Sequence, residues 1–68
     1  MSAESRLAYI RRTYGVPAKM GCRVRFTGSV KPREGRITGA AFGRIRVRFD
    51  DIPWTSLSLH PTWEVTYL

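Results

Sequence analysis

Residues 44–49 alternate without interruption between arginine and an apolar residue, in the order Arg-Ile-Arg-Val-Arg-Phe. Successive side chains of a β-strand point to opposite faces of the sheet, so a period of two predicts a strand with one buried face. Ile45, Val47 and Phe49 are then core residues, and the three arginines face outward. Residues 22–26 repeat the pattern with two more arginines. The chain is therefore predicted to be mainly β.

Three more strands complete the predicted sheet, at about residues 35–40, 54–59 and 64–68. The intervening turns, the first over residues 28–34, contain Gly, Pro, Ser and Asp, which favour turn conformations. Gly39 and the small residues after it indicate a bend or bulge. Five short strands with tight turns are typical of a small barrel, because closure removes exposed strand edges. We expect a five-stranded antiparallel barrel over residues 21–68.

An amphipathic helix is predicted before the barrel, over residues 2–14. Ser2 is suited to cap its N-terminus, and Gly15 and Pro17 end it. Its apolar stripe is expected to cover an open end or edge of the barrel. The 68 residues make one domain, 1–68, with room for a thin core and a surface site.

The predicted core combines the inward positions of the strands with the stripe of the helix. Each member is apolar and lies where the strand or helix period directs it inward. The strands supply Val24, Phe26, Ile37, Ile45, Val47, Phe49, Leu57, Leu59 and Val65, the helix supplies Leu7, Ile10 and Tyr14, and Cys22, Trp63 and Tyr67 are also assigned to the core.

The net charge is the strongest functional signal, because 12 Lys and Arg stand against 5 Asp and Glu, giving +7. A field of this sign attracts polyanions, so the candidate partners are nucleic acid, an anionic membrane surface and an acidic protein. Most of the basic residues are arginine, whose planar guanidinium suits bidentate contact with phosphate. The helix is short and no apolar run has the length of a membrane span, which disfavours a membrane partner.

Six arginines are predicted to share the outer surface of the sheet, which we call the arginine face, with no carboxylate interleaved among them. Like charges opposite one another on neighbouring strands repel, and a bound anion would offset this repulsion. We therefore expect contact with the sugar-phosphate backbone of DNA or RNA, largely independent of base sequence. The arginine face comprises Arg23, Arg25, Arg36, Arg44, Arg46 and Arg48, and Lys31 and Arg33 are further candidates for nucleic-acid binding.

Two aromatic residues are candidates for stacking on nucleic-acid bases. Phe42 lies at a predicted hairpin tip, and Trp54 follows the turn that contains Asp50 and Asp51. Trp54 also suits a core position, and the sequence leaves both alternatives open. Two alternatives to nucleic-acid binding remain as well: a solvated face that maintains solubility, and a protein-interaction module that binds an acidic protein or peptide.

Signals of catalysis and of metal binding are weak. His60 is the only histidine and lies beside Pro61 in a predicted turn, and Cys22 is the only cysteine. No Cys/His cluster has metal-ligand spacing, and the adjacent Asp50 and Asp51 suit a turn better than a catalytic pair. We expect a binding module without cofactor or metal rather than an enzyme, and the single cysteine favours a cytoplasmic location.

Segment 21–39 contains a spaced pattern of glycines, apolar residues and one lysine: Gly21, Val24, Phe26, Gly28, Lys31, Gly35 and Ile37. This pattern resembles the KOW motif of ribosomal and transcription-elongation proteins. The resemblance implies the first hairpin of an SH3-like barrel and a module that binds RNA or other proteins. At 60–64 the sequence is His-Pro-Thr-Trp-Glu, and especially in this segment the chain is similar to short barrel proteins encoded by phages and prophages.

Overall fold

A computed structural model describes residues 2–68 and contains one α-helix followed by five β-strands. The elements are α1 (Ala3–Tyr14), β1 (Arg23–Phe26), β2 (Arg33–Ala41), β3 (Arg44–Phe49), β4 (Leu57–Leu59) and β5 (Val65–Tyr67). The strands form one antiparallel sheet in the order β4-β3-β2-β1-β5. This confirms a mainly β fold with one N-terminal helix. The sheet is not closed, because β4 and β5 lie at its two opposite edges.

Helix α1 begins and ends where the sequence predicts. The Ser2 hydroxyl accepts a hydrogen bond from the backbone N–H of Ser5 at 3.2 Å, which caps the first turn. Gly15 ends the helix in the left-handed region, with φ of 66°. Leu7 and Ile10 are buried, and the helix packs mainly on β2. No helix in the described part of the chain is long and apolar enough to cross a membrane.

The core lies between the inner face of the sheet and α1. The alternation predicted for β3 is confirmed, because its three apolar residues are buried while its arginines are not. Residues near the sheet edges and strand ends are only partly buried. The buried core contains Leu7, Ile10, Ala18, Val24, Ile37, Ala40, Ile45, Val47 and Phe49, and the partly buried residues packed against it include Cys22, Phe26, Leu59, Val65 and Tyr67.

Three residues predicted to be core are exposed instead. Leu57 lies opposite Val47, on the inner side of the sheet, but β4 is a short edge strand and leaves 38% of Leu57 accessible. Trp63 belongs to the loop between β4 and β5, where it stacks on the His60 ring at 4.1 Å and remains 67% exposed. Tyr14 packs edge-on against the other side of this loop, through His60.

Two strand starts differ from the prediction by two residues or more, and the other differences are of one residue. β2 begins at Arg33, two residues early, because Arg33 pairs in register with Phe26 at the end of β1. β4 begins only at Leu57, three residues late, and the carbonyl oxygen of the preceding Ser56 accepts a hydrogen bond from the Arg46 guanidinium. The register of β2 on β3 shifts just before Gly39, which confirms the predicted bulge.

Candidate nucleic-acid interface

The outward side chains of β1, β2 and β3 meet in rows across the sheet. Arg36 of β2 lies opposite both Arg23 of β1 and Arg48 of β3, so one row contains three arginines. Directly opposed residues of antiparallel strands have Cβ atoms about 5 Å apart, close enough for like charges to repel. The row therefore concentrates positive charge at the middle of the sheet.

A second line of positive charge runs along β3. Arg44, Arg46 and Arg48 occupy alternate positions and share the outer face at intervals of about 6.7 Å. The line begins beside the turn Phe42–Gly43, which we call the hairpin tip, and ends beside Asp50. Together the row and the line bring Arg36 of β2 and the three arginines of β3 onto one surface, as the sequence predicts.

Carboxylates neutralise part of the arginine face, so the expectation that none is interleaved was wrong. Arg23 donates two hydrogen bonds to Asp50, at 3.0 and 2.7 Å. Arg25 donates two to Glu34, at 3.2 and 3.0 Å. Sequence reasoning placed Glu34 in a turn, but the early start of β2 puts it on the strand, directly opposite Arg25.

These ion pairs shift the pKa values of their members. Hydrogen bonds from Arg25 hold the pKa of Glu34 below its usual value. Hydrogen bonds from Arg23 do the same for the pKa of Asp50, which the charge of Arg36 lowers further. The hydrogen bond to Asp50 raises the pKa of Arg23 in turn. At neutral pH the two carboxylates are therefore charged and compete with any external anion for Arg23 and Arg25.

Lys31 and Arg33 do not belong to the arginine face. Arg33 shares the register of the inward residue Phe26, and its guanidinium lies over the Phe49 ring at 5.2 Å while pairing with Asp51 at 2.8 Å. Lys31 is exposed in the loop between β1 and β2, where it borders an open cleft of about 580 Å³ that also contains Asp51. We call the carboxylates of Glu34, Asp50 and Asp51 at this end of the sheet the acidic end.

Arg46 is engaged with the segment that leads into β4. Its guanidinium donates to the carbonyl oxygen of Ser56 at 3.0 Å and to the hydroxyl of Ser58 at 3.2 Å. The side chain is partly buried rather than fully exposed to solvent. Within residues 2–68 Arg46 has no carboxylate partner, and its two contacts help to hold β4 against β3.

Arg36, Arg44 and Arg48 are the most available cations of the face. All three are exposed, and within residues 2–68 none of them forms an ion pair or a side-chain hydrogen bond. Arg36 and Arg48 also border a shallow pocket of about 450 Å³ whose rim includes Met20 and Pro53. The pocket offers apolar surface beside two guanidinium groups, which suits a ligand with an anionic and an apolar part.

Both aromatic candidates are exposed, which settles the open question about Trp54. Phe42 is completely accessible, and Trp54 is 79% exposed. They lie beyond opposite ends of β3, which is about 17 Å long, so the two rings cannot act on the same base. Phe42 is next to Arg44, whereas Trp54 is near the acidic end.

Sequence reasoning missed one aromatic cluster. His60 stacks on Trp63 at 4.1 Å and meets Tyr14 edge-on at 5.4 Å. Nδ1 of His60 accepts a hydrogen bond from the backbone N–H of Thr62 at 3.2 Å, which holds the loop and the ring together. Tyr14 is distant from His60 in the sequence, so periodicity gave no signal for that contact, whereas Trp63 follows His60 within the same loop.

Residues 2–68 contain no group of three or more His, Cys, Asp and Glu side chains that could hold a metal ion. The carboxylates at the acidic end are instead engaged by guanidinium groups. No model of a protein family matches the chain, and neither curated proteins nor solved structures include a significant match to it.

Proposed function

We propose that this protein is a nucleic-acid-binding module that contacts the sugar-phosphate backbone through its arginine face, largely without regard to base sequence. One observation carries the proposal. Three outward arginines of β3 alternate along the strand without any carboxylate partner in the described residues, and Arg36 lies directly opposite the last of them. This surface offers four guanidinium groups to successive phosphates.

One alternative to a binding role for the arginine face is a solvated surface that maintains solubility. A solubility surface is better served by mixed charges, which avoid repulsion between neighbouring strands. The protein uses such pairing at Arg23 and Arg25 but not at Arg36 and Arg48, which are opposed in register. In a domain of this size, with stability of only about 0.05–0.15 kcal/mol per residue, uncompensated repulsion favours a function for the charges.

The contacts set the expected dependence on salt. Four phosphate contacts, from Arg36, Arg44, Arg46 and Arg48, give a slope of log K against log salt of about −3.6 on duplex DNA and about −2.8 on a single strand. Affinity for duplex should then fall about 150-fold between 50 and 200 mM salt. Arg25 is left out because Glu34 occupies its guanidinium.

The proposal extends to the fold and setting of the protein. The position of β5 beside β1 is compatible with an SH3-like barrel of KOW-like type, in which β4 and β5 would approach each other. KOW-like modules bind RNA or proteins, which fits a binding role rather than catalysis, without a cofactor. A cytoplasmic location and an origin among phage or prophage proteins complete the proposal.

Fluorescence polarisation with random-sequence duplex DNA, single-stranded DNA and RNA tests this function at 50 and 200 mM salt. Arg48→Gln should weaken binding to every sequence alike and flatten the salt slope by about one unit. Arg48 is preferable to Arg46 because its side chain forms no hydrogen bond within residues 2–68, so the loss of its charge should leave the fold intact. Arg12→Gln is the matched control, because Arg12 is exposed on α1, away from the arginine face.

The outcome separates nucleic acid from the alternatives. If the wild-type protein binds no nucleic acid at 50 mM salt, or if Arg12→Gln weakens binding as much as Arg48→Gln, the proposal is wrong. Binding of a polyglutamate peptide in place of nucleic acid would assign the arginine face to an acidic protein partner. Sedimentation with anionic vesicles alone would assign it to a membrane surface.

A further inference from the structure

The hairpin tip between β2 and β3 violates a local conformational preference. Phe42 and Gly43 are the two central residues of the turn, and both have positive φ, at 54° and 75°. Two-residue turns of this kind favour Asn-Gly, Asp-Gly or Gly-Gly, because other side chains clash with the backbone in the left-handed region. Gly43 fits this rule, whereas Phe42 is a bulky residue held in an unfavourable conformation.

Burial does not offset this strain. Phe42 has a relative exposure of 104%, so its ring packs on none of the residues 2–68. None of the ring–ring contacts within residues 2–68 involves it. Phe42 therefore has two unfavourable features: a strained backbone conformation and an apolar ring exposed to water. In a fold whose other residues suit their local structure, such a residue marks a functional position.

The surroundings of Phe42 are basic. Arg44 follows the tip on the arginine face and has no carboxylate partner in the described chain. A cleft of about 100 Å³ lies between the tip and α1, with Arg6 and Tyr9 on the helical side. The Arg6 guanidinium donates only to the carbonyl oxygen of Ala40, at 3.4 Å, and half of Tyr9 is exposed. An exposed ring between two such guanidinium groups suits a flat apolar group attached to phosphates.

We propose that Phe42 stacks on an unpaired nucleobase while Arg44 and Arg6 hold the flanking phosphates, so that the protein prefers single-stranded nucleic acid to duplex. This inference rests on the proposed function and names the form of its ligand. The bases of a duplex are already stacked on one another, and a ring reaches them only after they are separated. An unpaired strand offers its base faces freely, and stacking on an aromatic side chain is tolerant of sequence. A protein partner fits less well, because a lone ring flanked by charge offers little apolar area to bury.

The strained turn supplies a discriminating variant. Asn is favoured at the first position of this turn, so Phe42→Asn should fold at least as stably as the wild type while losing the ring. Its affinity for single-stranded DNA should fall about 5- to 150-fold, the range expected for loss of one stacked base. Its affinity for duplex and its salt slope should not change, because no phosphate contact is lost. Phe42→Trp should keep the single-strand affinity, whereas Phe42→Leu, which is apolar but not flat, should lose it.

Fluorescence polarisation measures the affinities of these variants, and thermal melting followed by circular dichroism shows whether they fold. Val30→Asn is the matched control, because Val30 is also completely exposed in a loop and its loss should leave binding unchanged. If Phe42→Asn and Phe42→Leu bind single strands as tightly as the wild type, the stacking proposal is wrong, although the proposed function stands if Arg48→Gln still weakens binding. Equal wild-type affinity for single strands and duplex also refutes it. Failure of the wild type to bind any nucleic acid refutes both proposals.

Discussion

Gly35 and Gly39 lie in the same strand, β2, yet the structure predicts opposite responses to alanine. Neither has a positive φ, so the backbone accepts an L-residue at both positions. A Cβ at Gly35 would collide with the backbone of β3: it would overlap the Arg48 carbonyl oxygen and lie 2.8 Å from Cα of Phe49. A Cβ at Gly39 would meet only Cβ of Ala3, at an ordinary 3.7 Å.

The size of the destabilisation depends on which atoms must move to admit the new Cβ. Because the obstructing atoms at Gly35 are backbone, the whole β2–β3 pairing has to shift, which puts Gly35→Ala at the upper end of overpacking penalties, about 3 kcal/mol. A domain of this length has about 3–10 kcal/mol of stability in total. The Tm should therefore fall by roughly 12–24 °C, if the variant folds at all. Gly39→Ala should change stability by less than about 1 kcal/mol, in the stabilising direction, because alanine restricts the unfolded chain.

Urea and thermal denaturation followed by far-ultraviolet circular dichroism measure both variants against the wild type. Two-state analysis suits a chain of this size. If Gly35→Ala melts within about 3 °C of Gly39→Ala, β2 and β3 are not as close at Gly35 as the structure has them. The reasoning from backbone contact would then be refuted, whatever the absolute stability of the protein.

Two further predictions concern the core and the ion pairs. Val47→Ala should destabilise the protein by about 2 kcal/mol or more, because Val47 is fully buried in β3; a urea midpoint close to the wild-type value would contradict its place in the core. The folded-state pKa values of Glu34 and Asp50 are depressed, so their contribution to stability is complete above their unfolded values of about 4 and is lost as the pH falls through the folded values. The Tm of the wild type should therefore decline below about pH 4. In Asp50→Asn the Tm at neutral pH should already be lower, and its decline in acid should be smaller. An identical dependence of Tm on pH in the two proteins would show that the Arg23–Asp50 pair adds no stability.

The elements with strong local signals were predictable from the sequence. Helix α1 has a capping residue, a terminal glycine and an apolar stripe, and β3 has an unbroken alternation, so local rules and tertiary packing agree there. The outward direction of Arg44, Arg46 and Arg48 follows from the same alternation. The bulge before Gly39 was also indicated, because small residues weaken a strand at that point.

The remaining features depend on which strands become neighbours. Glu34 looked like a turn residue, and only pairing with β1 places it opposite Arg25. Leu57 has the right period for the core, but its strand is at the edge of the sheet, which leaves 38% of the residue accessible. Trp63 is apolar and was assigned to the core for that reason alone, whereas Pro61 is the buried residue of that loop. The alternation of apolar residues predicts the face of the sheet on which a side chain lies, whereas the neighbouring strand determines which residues the side chain contacts there.

The division of charge gives the arginine face a direction. β2 begins and β3 ends at the same end of the sheet, so Glu34, Asp50 and Asp51 gather there, while the opposite end carries Arg44 and the hairpin tip. The acidic end repels a polyanion and has already bound the guanidinium groups of Arg23 and Arg25. In the proposed complex, a strand of nucleic acid held by Arg36 and Arg48 would therefore be directed away from the carboxylates and along β3, towards Arg44 and Phe42. The ion pairs that relieve repulsion within β1 and β2 thus occupy the arginines of β1. The cations that remain available lie in one continuous line, which ends at the exposed ring of Phe42.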